Sequence, residues 1–396
     1  MSAPNPTLAP PAPRLESVDL LRGLIMVVMA LDHTRDFFHW SALHGIEPAD
    51  LAATSAPIFL TRWLTHFCAP NFSFLAGVGV FLSTLRGKSK RDLSWFLVTR
   101  GLWLIFLELT LLMWFGWKFT ITPTSYILAT LWSLGWSMIA LAALIHLPLR
   151  VVATASVAVI VGHNLLDEIK PESWGSWTGL WRVLHAPGPF KLGGFDFLAF
   201  YPLIPWVAVM AAGYSFGAVF QLESDVRRKW LVRLGVGFCA AFVLLRFSNL
   251  YGDPAPWTAQ PRAGFTFFSF LNCTKYPPSL CYLLMTIGPG LLLLAWFERG
   301  VPALLRPALV FGRVPFFYYI LHLPLIHALA AIMLHFQVGD ATVSPFTESA
   351  KVPPNAGVTL LALYGVWVGV ILLLYPVCRW FADLKRRRRD AWLSYF

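Results

Sequence analysis

The residues best suited to chemistry lie in one stretch, which runs from Arg14 to Trp40 and reads RLESVDLLRGLIMVVMALDHTRDFFHW. Its middle part is almost wholly apolar, as in a membrane helix, and ionisable residues follow directly. These residues are Asp32, His33, Arg35 and Asp36. Ionisable groups in a membrane helix are costly and usually face a protein interior or a water-filled cavity. The stretch therefore predicts a membrane helix with a polar site near its end.

Helical spacing gives several of these side chains a common direction, because residues three or four positions apart share a face. The resulting stripe contains Arg22, Met26, Met29, His33 and Asp36. Arg22 and His33 are separated by about three turns, or roughly 16 Å along the axis. One helix could thus present a cation near one membrane face and an imidazole near the other. A simpler interpretation also fits, in which Asp19 and Arg22 start the helix at one interface and the DHTRD cluster marks the other.

His33 is the leading candidate for a general base, because histidine is the side chain whose usual pKa lies nearest neutrality. A base needs a partner that orients it, and Asp36, one turn further on, can supply that contact. Asp32 ranks second, since on an ideal helix it points roughly away from His33. Arg35 belongs to the same cluster and is predicted to contact a substrate.

Two further histidines are candidates near the same membrane face. His66 lies in RWLTHFCAPNF, near the predicted outer start of the second span and at a depth similar to that of His33. The two could form a proton relay or a catalytic pair, or both could be interfacial residues. His44 lies in the first predicted outer loop, where a solvated histidine is the default interpretation.

The segment FLNCTKYPPSL contains a candidate anion-binding cation, Lys275. Pro277 and Pro278 suit a helix start. A lysine just before them opposes the positive end of the helix dipole, so Lys275 is expected to have a tertiary partner or an anionic ligand. Its neighbours Asn272 and Tyr276 are predicted to share the site.

Prolines interrupt two of the predicted spans. A proline in a membrane helix frees a backbone carbonyl and often kinks the helix. The second span is predicted to break at Pro70, and the segment GRVPFFYYILHLPLIH is broken by Pro315 and Pro324. His322 lies between these two and is a second candidate for lining a cavity.

Composition identifies the class of protein. The 396 residues are 57% hydrophobic and only 13% charged, whereas a soluble domain is about 25% charged. The 18 Trp and 32 Phe suit aromatic belts at two membrane interfaces. The net charge of +11 predicts no nucleic-acid partner, because basic residues collect in cytoplasmic loops of membrane proteins. The five cysteines lack metal-binding spacing, and neither a metal site nor a permanently bound cofactor is predicted.

The hydropathy pattern predicts an all-α polytopic membrane bundle with about ten spans of about 20 residues. Lys and Arg are about twice as frequent on the N-terminal side of the membrane, which predicts that both termini are cytoplasmic. A transmembrane domain at 14–384 would lie between a disordered tail at 1–13 and a basic tail at 385–396. The approximate spans are 18–39, 57–85, 93–117, 125–147, 150–166, 197–221, 229–250, 277–298, 307–335 and 357–383. Spans one, two, eight and nine are expected to line a polar cavity.

Five segments together resemble the bacterial membrane family related to heparan-α-glucosaminide N-acetyltransferase. In order from Arg14 to His327, they are RLESVDLLRGL, the Asp32–His33 pair, APNFSFLAGVGVFLS, FLNCTKYPPSL and GRVPFFYYILHLPLIH. The spacing from Arg22 to His33 is also similar, more distantly, to that in the first helix of the acyltransferase-3 family. The resemblance implies a multi-span enzyme that takes an acetyl group from cytoplasmic acetyl-CoA and delivers it to a sugar across the membrane.

The resemblance leaves the catalytic histidine open. The acyltransferase-3 spacing selects His33. An ungapped match to the lysosomal member of the heparan-α-glucosaminide N-acetyltransferase family instead places the active histidine at His44. His33 stays first because spacing and helix geometry agree there. Arg22 and the basic inner loops would attract the phosphates of acyl-CoA.

The favoured hypothesis is acyl transfer, with acetyl the expected group, to a hydroxyl or amine of a glycan. His33 would remove the acceptor proton, oriented by Asp36 or Asp32, and His66 and Lys275 would complete the outer site. The bilayer of the inner membrane and a second copy of the chain are further candidate partners. The alternative is a transporter that exports an anionic solute through the same broken helices without covalent chemistry.

Overall fold

The computed structural model describes residues 15–121, 123–388 and 390–396. Arg14 and the predicted tail at 1–13 lie outside the described residues. In the described part, eight helical stretches are long and apolar enough to cross a membrane, and the predicted all-α polytopic bundle is confirmed. The terms inner and outer follow the predicted orientation.

The α-helices of the first half are α1 (Glu16–Phe38), α2 (Trp40–Leu43), α3 (Ala56–Thr65), α4 (Cys68–Thr84), α5 (Lys90–Leu107), α6 (Thr130–Leu144), α7 (Leu149–Gly162) and α8 (Thr178–Leu184). Those of the second half are α9 (Leu203–Phe216), α10 (Ser224–Ser248), α11 (Phe265–Leu271), α12 (Leu280–Phe297), α13 (Ala308–Arg313), α14 (Pro315–Val338) and α15 (Leu360–Arg387). A π-helix, Glu108–Trp117, continues α5 directly. Short 3-10 helices are His163–Leu166, Pro171–Trp177, Gly217–Gln221, Ala303–Leu305, Ser349–Lys351 and Ala391–Tyr395.

The ten predicted spans all coincide with helices, but two of them are unusual. Eight correspond to the long apolar stretches. The first corresponds to α1, whose ionisable residues set it apart from an ordinary span. The fourth corresponds to α6, which has 15 residues, fewer than the about 20 that cross a bilayer.

α1 is the central helix and packs against α4, α12, α13, α14 and α15. Glu16 and Asp19 lie in its first turn, where negative charge is favoured by the helix dipole. Met26 and Ala30, halfway along, are fully buried. The ionisable residues of α1 are therefore surrounded largely by protein, which is what makes them tolerable at membrane depth.

Glycines let α1 and α13 approach each other closely. A Cβ on Gly312 would lie 1.7 Å from the Asp19 carbonyl oxygen, and one on Gly23 would lie 1.9 Å from that of Ala308. Backbone contact through small residues is a common way to hold membrane helices together. It fixes α1 against the segment that leads into α14.

The second span is broken, but the predicted break at Pro70 is wrong. α3 ends at Thr65 and α4 begins at Cys68. Pro70 lies in the first turn of α4, where a proline is tolerated because its missing N–H would have no partner within the helix. The break falls instead at His66 and Phe67.

Of the later prolines that the sequence analysis singles out, Pro277, Pro278 and Pro315 lie at helix starts, but the predicted break at Pro324 is wrong, because Pro324 lies inside the continuous helix α14. α12 begins directly after the Pro277–Pro278 pair, with the Ser279 hydroxyl accepting a hydrogen bond from the Tyr282 backbone N–H at 3.0 Å. Pro315 is the first residue of α14 and separates it from α13. The segment before α12 is therefore free to carry side chains into the bundle interior.

A small sheet on the outer side shortens two predicted spans. Its strands are β1 (Ser125–Leu128), β2 (Gly188–Leu192) and β3 (Phe195–Ala199), in the order β1-β3-β2. β2 and β3 are antiparallel, and β1 is parallel to β3. The N-terminal limits of the spans at 125–147 and 197–221 are therefore wrong, because hydropathy alone does not separate a short apolar strand from the start of a helix.

Candidate active site

A cavity of about 520 Å³ lies at the outer end of α1, and it is called the outer cavity below. Its walls come from α1, α3, α4, the π-helix, the β1–α6 connection and the segment before α12. The polar side chains that line it include Asp32, His33, Arg35, Asp36, Arg62, Thr65, Lys275 and Tyr276. The structure therefore brings the ionisable end of α1 into one cavity with residues from distant parts of the chain.

His33 lies in the wall of the outer cavity between two aromatic neighbours. Its ring centroid is 5.4 Å from that of Trp117, in an edge-to-face arrangement, and 5.2 Å from that of His322. Its Nδ1 is buried without a hydrogen-bond partner. The ring is thus positioned by packing.

The π-helix determines where Trp117 lies. A π-helix of ten residues is rare, and such segments are frequent at functional sites. At its start Glu108 is fully buried and accepts hydrogen bonds from the Leu131 backbone N–H at 2.8 Å and from Trp117 Nε1 at 3.1 Å. One carboxylate thereby joins the π-helix to the start of α6 and holds Trp117 against His33.

Asp32 is the centre of a charge cluster in the outer cavity. Its carboxylate oxygens lie 2.8 Å from Arg62 Nη1, 3.1 Å from Arg35 Nη1 and 3.6 Å from Lys275 Nζ. The Thr65 hydroxyl also donates to it at 2.8 Å. Asp32 is therefore paired with three cations.

Asp36 contacts Arg35 and not His33. The Asp36 carboxylate accepts a hydrogen bond of 2.5 Å from Arg35 Nη2. The cluster thus sets two carboxylates against three cations, counting Arg62 and Lys275. The single excess positive charge of this cluster suits an anionic group or a negative charge that develops during a reaction. Glu47, an exposed residue, also lines the cavity.

Tyr276 lies beside Lys275 in the segment that leads into α12. Burial alone would raise the pKa of the Tyr276 phenol, but Lys275 and Arg62 nearby lower that pKa below its usual value. The Lys275 ammonium lies 5.1 Å from the Tyr276 ring centre. The phenol is therefore a better proton donor than an ordinary tyrosine.

A buried network holds this segment in place. Asp253 accepts hydrogen bonds from the Thr274 backbone N–H at 2.9 Å and from the Ser279 hydroxyl at 2.6 Å. Arg246 Nη1 lies 3.7 Å from the same carboxylate, and Arg246 Nη2 donates to the Asn272 carbonyl at 2.9 Å. Both ends of the segment that carries Lys275 and Tyr276 are thus fastened to α10 and the loop after it.

The other predicted site residues lie around the outer cavity and do not line it. His66, at the α3–α4 break, has its ring 5.3 Å from Tyr282. His44 stacks on Trp40 at 4.3 Å near the mouth. Asn272 donates to the Ala49 carbonyl at 2.9 Å. His322 is fully buried behind His33 and contacts the Tyr319 carbonyl through Nδ1 at 2.7 Å.

A second cavity of about 320 Å³, the inner cavity, lies at the other end of the bundle. Arg22, Lys88 and Arg100 line it together with apolar residues of α5 and α6. Gly79 leaves room for the guanidinium of Arg22, since a Cβ there would lie 2.7 Å from Arg22 Nη2. The sequence predicts that Arg22 binds a substrate, and the structure places Arg22 in the wall of this inner cavity.

The C-terminal segment closes part of the inner cavity. α15 extends to Arg387, beyond the start of the predicted tail at 385. After it, the Ser394 carbonyl accepts a hydrogen bond from Arg100 Nη1 at 2.6 Å, and Tyr395 contacts the Thr99 hydroxyl at 2.9 Å. Arg100 is thereby held at the cavity edge by a backbone carbonyl.

Phe72 is the one described residue that lines both cavities. It belongs to α4 and is partly buried. α1 runs beside both spaces, with Arg22 in one and His33 in the other. The two cavities therefore share a wall residue, Phe72.

Sequence reasoning missed Arg62, Trp117, Phe72, Lys88 and Arg100 as site residues. A signal existed for Arg62, which is an ionisable residue in the apolar run FLTRWLT and falls under the same rule as Asp32. Trp117 and Phe72 carry no such signal, because aromatic residues are common at every depth of a membrane bundle.

Comparison with known families gives one match. The family model described as heparan-alpha-glucosaminide N-acetyltransferase, catalytic, matches residues 14–245, which is more than half of the chain. No curated protein matches the chain. The matched range contains α1, α4, the π-helix and the cations of the inner cavity, whereas Lys275, Tyr276 and His322 follow it.

Proposed function

Because the chain belongs to the family of the heparan-alpha-glucosaminide N-acetyltransferase catalytic domain and is a multi-pass membrane protein of acetyltransferase type, we propose that it transfers the acetyl group of acetyl-CoA across the inner membrane. The acceptor is an amine or hydroxyl of a sugar on the outer side. The observation that carries the proposal is the pair of cavities on α1, one cationic and one containing His33, which meet at Phe72.

The inner cavity is the proposed donor site. Arg22, Lys88 and Arg100 supply three cations around it, and cations of this kind bind phosphates through charge-assisted hydrogen bonds. Its apolar walls suit the uncharged pantetheine arm. From Arg22 to His33 the distance along α1 is roughly 16 Å, which an extended pantetheine arm can cover once it passes Phe72.

The outer cavity is the proposed site of acyl transfer, with His33 as the general base. His33 takes the proton of the acceptor as the acceptor nitrogen or oxygen attacks the thioester carbonyl. The carbonyl oxygen becomes negative in the tetrahedral intermediate, and the C–S bond then breaks. The CoA sulfur leaves with the proton that His33 has taken up.

Cations on the opposite wall support this chemistry. Arg62 and Lys275 are fixed by Asp32 and need not move to stabilise the oxyanion. The acidified phenol of Tyr276 can donate to the same oxygen. The Asp36 carboxylate is hydrogen-bonded to Arg35. We therefore propose that Asp36 acts on His33 only through its charge and not through a hydrogen bond.

The charge balance also bears on the acceptor. The cluster around Asp32 carries one net positive charge, which disfavours a protonated amine next to it, while the exposed Glu47 also lines the cavity. We therefore propose that the acceptor attacks as a neutral amine or a hydroxyl.

The proposal is tested with the full chain in proteoliposomes, with acetyl-CoA on one side and a sugar amine on the other. We expect His33→Ala to lower transfer by about 10²–10⁴-fold, the range for a lost general base, with acetyl-CoA binding within a few-fold of wild type. His335→Ala is the matched control, because His335 is an exposed histidine at the outer end of α14.

Two outcomes would redirect the assignment. An active His33→Ala with an inactive His44→Ala would move the catalytic role to His44. Absence of acetyl-CoA binding, together with solute uptake that needs no acyl donor, would instead favour the anionic-solute transporter that the broken helices also fit.

A further inference from the structure

Three potential metal ligands meet at the outer end of α7, away from both cavities. They are His163 in the 3-10 helix after α7, Asp167 just beyond it, and His185 after α8. One ligand atom of each lies within 4.8 Å of the others. His163 and His185 are 2% and 1% exposed, so the group lies inside the protein and not on a solvated face.

The hydrogen bonding of this group is incomplete. His185 Nε2 lies 3.0 Å from the His163 carbonyl oxygen and 3.6 Å from Asp167 Oδ1. The Pro278 carbonyl is near the His163 ring, but neither ring nitrogen of His163 has a partner with hydrogen-bond geometry. A buried polar group without a partner is uncommon and calls for an explanation such as an ion.

We propose that His163, Asp167 and His185 bind one divalent transition-metal ion, for which Zn²⁺ is the best fit. Two imidazoles and one carboxylate are a typical zinc ligand set. Calcium and magnesium prefer oxygen ligands throughout. This is the one group of three or more such ligands found among the described residues.

Neighbouring residues form the outer shell that a metal site needs. Asn164 Nδ2 donates to Asp167 Oδ2 at 2.8 Å and leaves the other carboxylate oxygen for the metal. Trp181 stacks on the His185 ring at 5.4 Å, and its Nε1 donates to the Ile169 carbonyl at 2.9 Å. Such contacts fix the orientation of ligands before the ion arrives.

The site is connected to the proposed active site through Asn164. The side-chain oxygen of Asn164 accepts a hydrogen bond of 3.0 Å from the Leu280 backbone N–H, at the start of α12. The segment with Lys275 and Tyr276 ends at that point. The ion would therefore hold the outer end of α7, α8 and the start of α12 together, which is a structural role distinct from acetyl transfer and independent of it.

The test uses the full chain, purified in detergent, stripped with a chelator and titrated with Zn²⁺ or Co²⁺. We expect one ion per chain, a Co²⁺ adduct with the visible absorption of a four-coordinate site, and a higher Tm with metal than without. His163→Ala should lose all three signals. His335→Ala, which removes an exposed histidine, should retain them.

The Asp167→Asn variant tests metal binding in a protein that should still fold. The asparagine can still accept the hydrogen bond from Asn164, so the variant should fold and unfold at a Tm near that of metal-free wild type. Its metal affinity should fall by at least about tenfold, as for other disturbed ligand sets. Equal metal content in wild type and His163→Ala, or an unchanged affinity in folded Asp167→Asn, would overturn the proposal.

Discussion

The two ends of α1 hold their cations at different distances from carboxylates. In the outer cavity, Asp32 contacts Arg35, Arg62 and Lys275 directly. In the inner cavity, Arg100 contacts a carbonyl and aromatic rings, and Lys88 lies 4.5 Å from the Phe96 ring centre. The outer cations thus contact a carboxylate closely, whereas at the inner end Arg22 lies 3.9 Å from an Asp19 carboxylate oxygen.

This difference separates two tasks on one helix. Cations fixed by a carboxylate keep their geometry whether or not a ligand is present, as preorganised catalysis requires. Cations that a carboxylate holds less closely leave more of their charge to attract an anion. We therefore expect the inner end of α1 to supply affinity for the acetyl donor and the outer end to supply the groups that catalyse transfer.

The largest effect is expected when Asp32 is removed. Asp32→Ala leaves three cations close together without their counter-ion, and breaking a buried ion pair in this way costs about 3–5 kcal/mol. We expect a large fall in Tm and a low yield of folded protein. Asp36→Ala, at a carboxylate whose side chain is 32% exposed, is the control and should cost much less. Equal Tm values for the two variants would show that the outer cluster is not organised around Asp32.

Removal of inner charge should weaken donor binding and leave the fold intact. Arg22→Ala should raise the Kd for acetyl-CoA by about 10–100-fold, because a hydrogen bond to a charged group contributes about 1.5–3 kcal/mol. Isothermal titration of the detergent-purified protein measures this change. Arg228→Ala, at a partly exposed arginine near the inner start of α10, should have no effect.

Ionic strength should affect donor binding at the inner end of α1 more than transfer at its outer end. Raising the ionic strength from 0.1 M to 1 M shortens the Debye length from about 10 Å to about 3 Å. Donor binding by wild type should weaken over that range, while the rate of transfer at saturating donor stays within a few-fold. A transfer rate that falls with salt as steeply as the donor affinity would show that binding and transfer do not depend on different ends of α1.

A change at Phe72, which lines both cavities, should affect acetyl transfer alone. Phe72→Trp enlarges the side chain that lines both cavities. Inserting bulk into a packed site costs about 1–3 kcal/mol, and we expect transfer to fall by about tenfold or more while acetyl-CoA binding changes little. Phe74→Trp, on the same helix but away from both cavities, controls for general effects of added volume. Unchanged transfer in Phe72→Trp would mean that the acetyl group takes another route.

The smallest effect concerns the alkaline limb of the pH profile. Lys275 and Arg62 lower the pKa of the Tyr276 phenol, so a rate that needs the protonated phenol should decline at a lower pH than the usual tyrosine pKa of about 10. Lys275→Met removes one of these cations, raises that pKa and moves the limb to higher pH. Tyr276→Phe should remove the limb altogether. An identical limb in all three proteins would exclude Tyr276 as its source.

Hydropathy located every long helix because burial in lipid imposes a length and a composition that a sequence displays directly. It missed the sheet, where runs such as SYIL are too short to show a period, and the π-helix, whose wider turn leaves no mark on composition. The break of the second span was misplaced because the effect of Pro70 depends on its position in the first turn of α4.

The site was predictable only as far as it lies on one helix. The stripe from Arg22 to His33 follows from helical period alone, and both residues line cavities as that stripe implies. The contacts of Asp32 with Arg62 and Lys275 require the packing of α3 and of the segment before α12, which no local pattern encodes. The His163–His185 group was missed for the same reason, since its members are joined only by the fold.

The position of Phe72 has an electrical consequence. Where water enters a membrane protein from both sides, the transmembrane potential falls mainly across the thin barrier that remains between the two aqueous spaces. Moving one elementary charge through 100 mV requires about 2.3 kcal/mol. An acetyl thioester carries no charge at the point where it would pass Phe72, so the proposed transfer would proceed without work against the field, whereas a proton or a phosphate group would meet the full voltage at that residue.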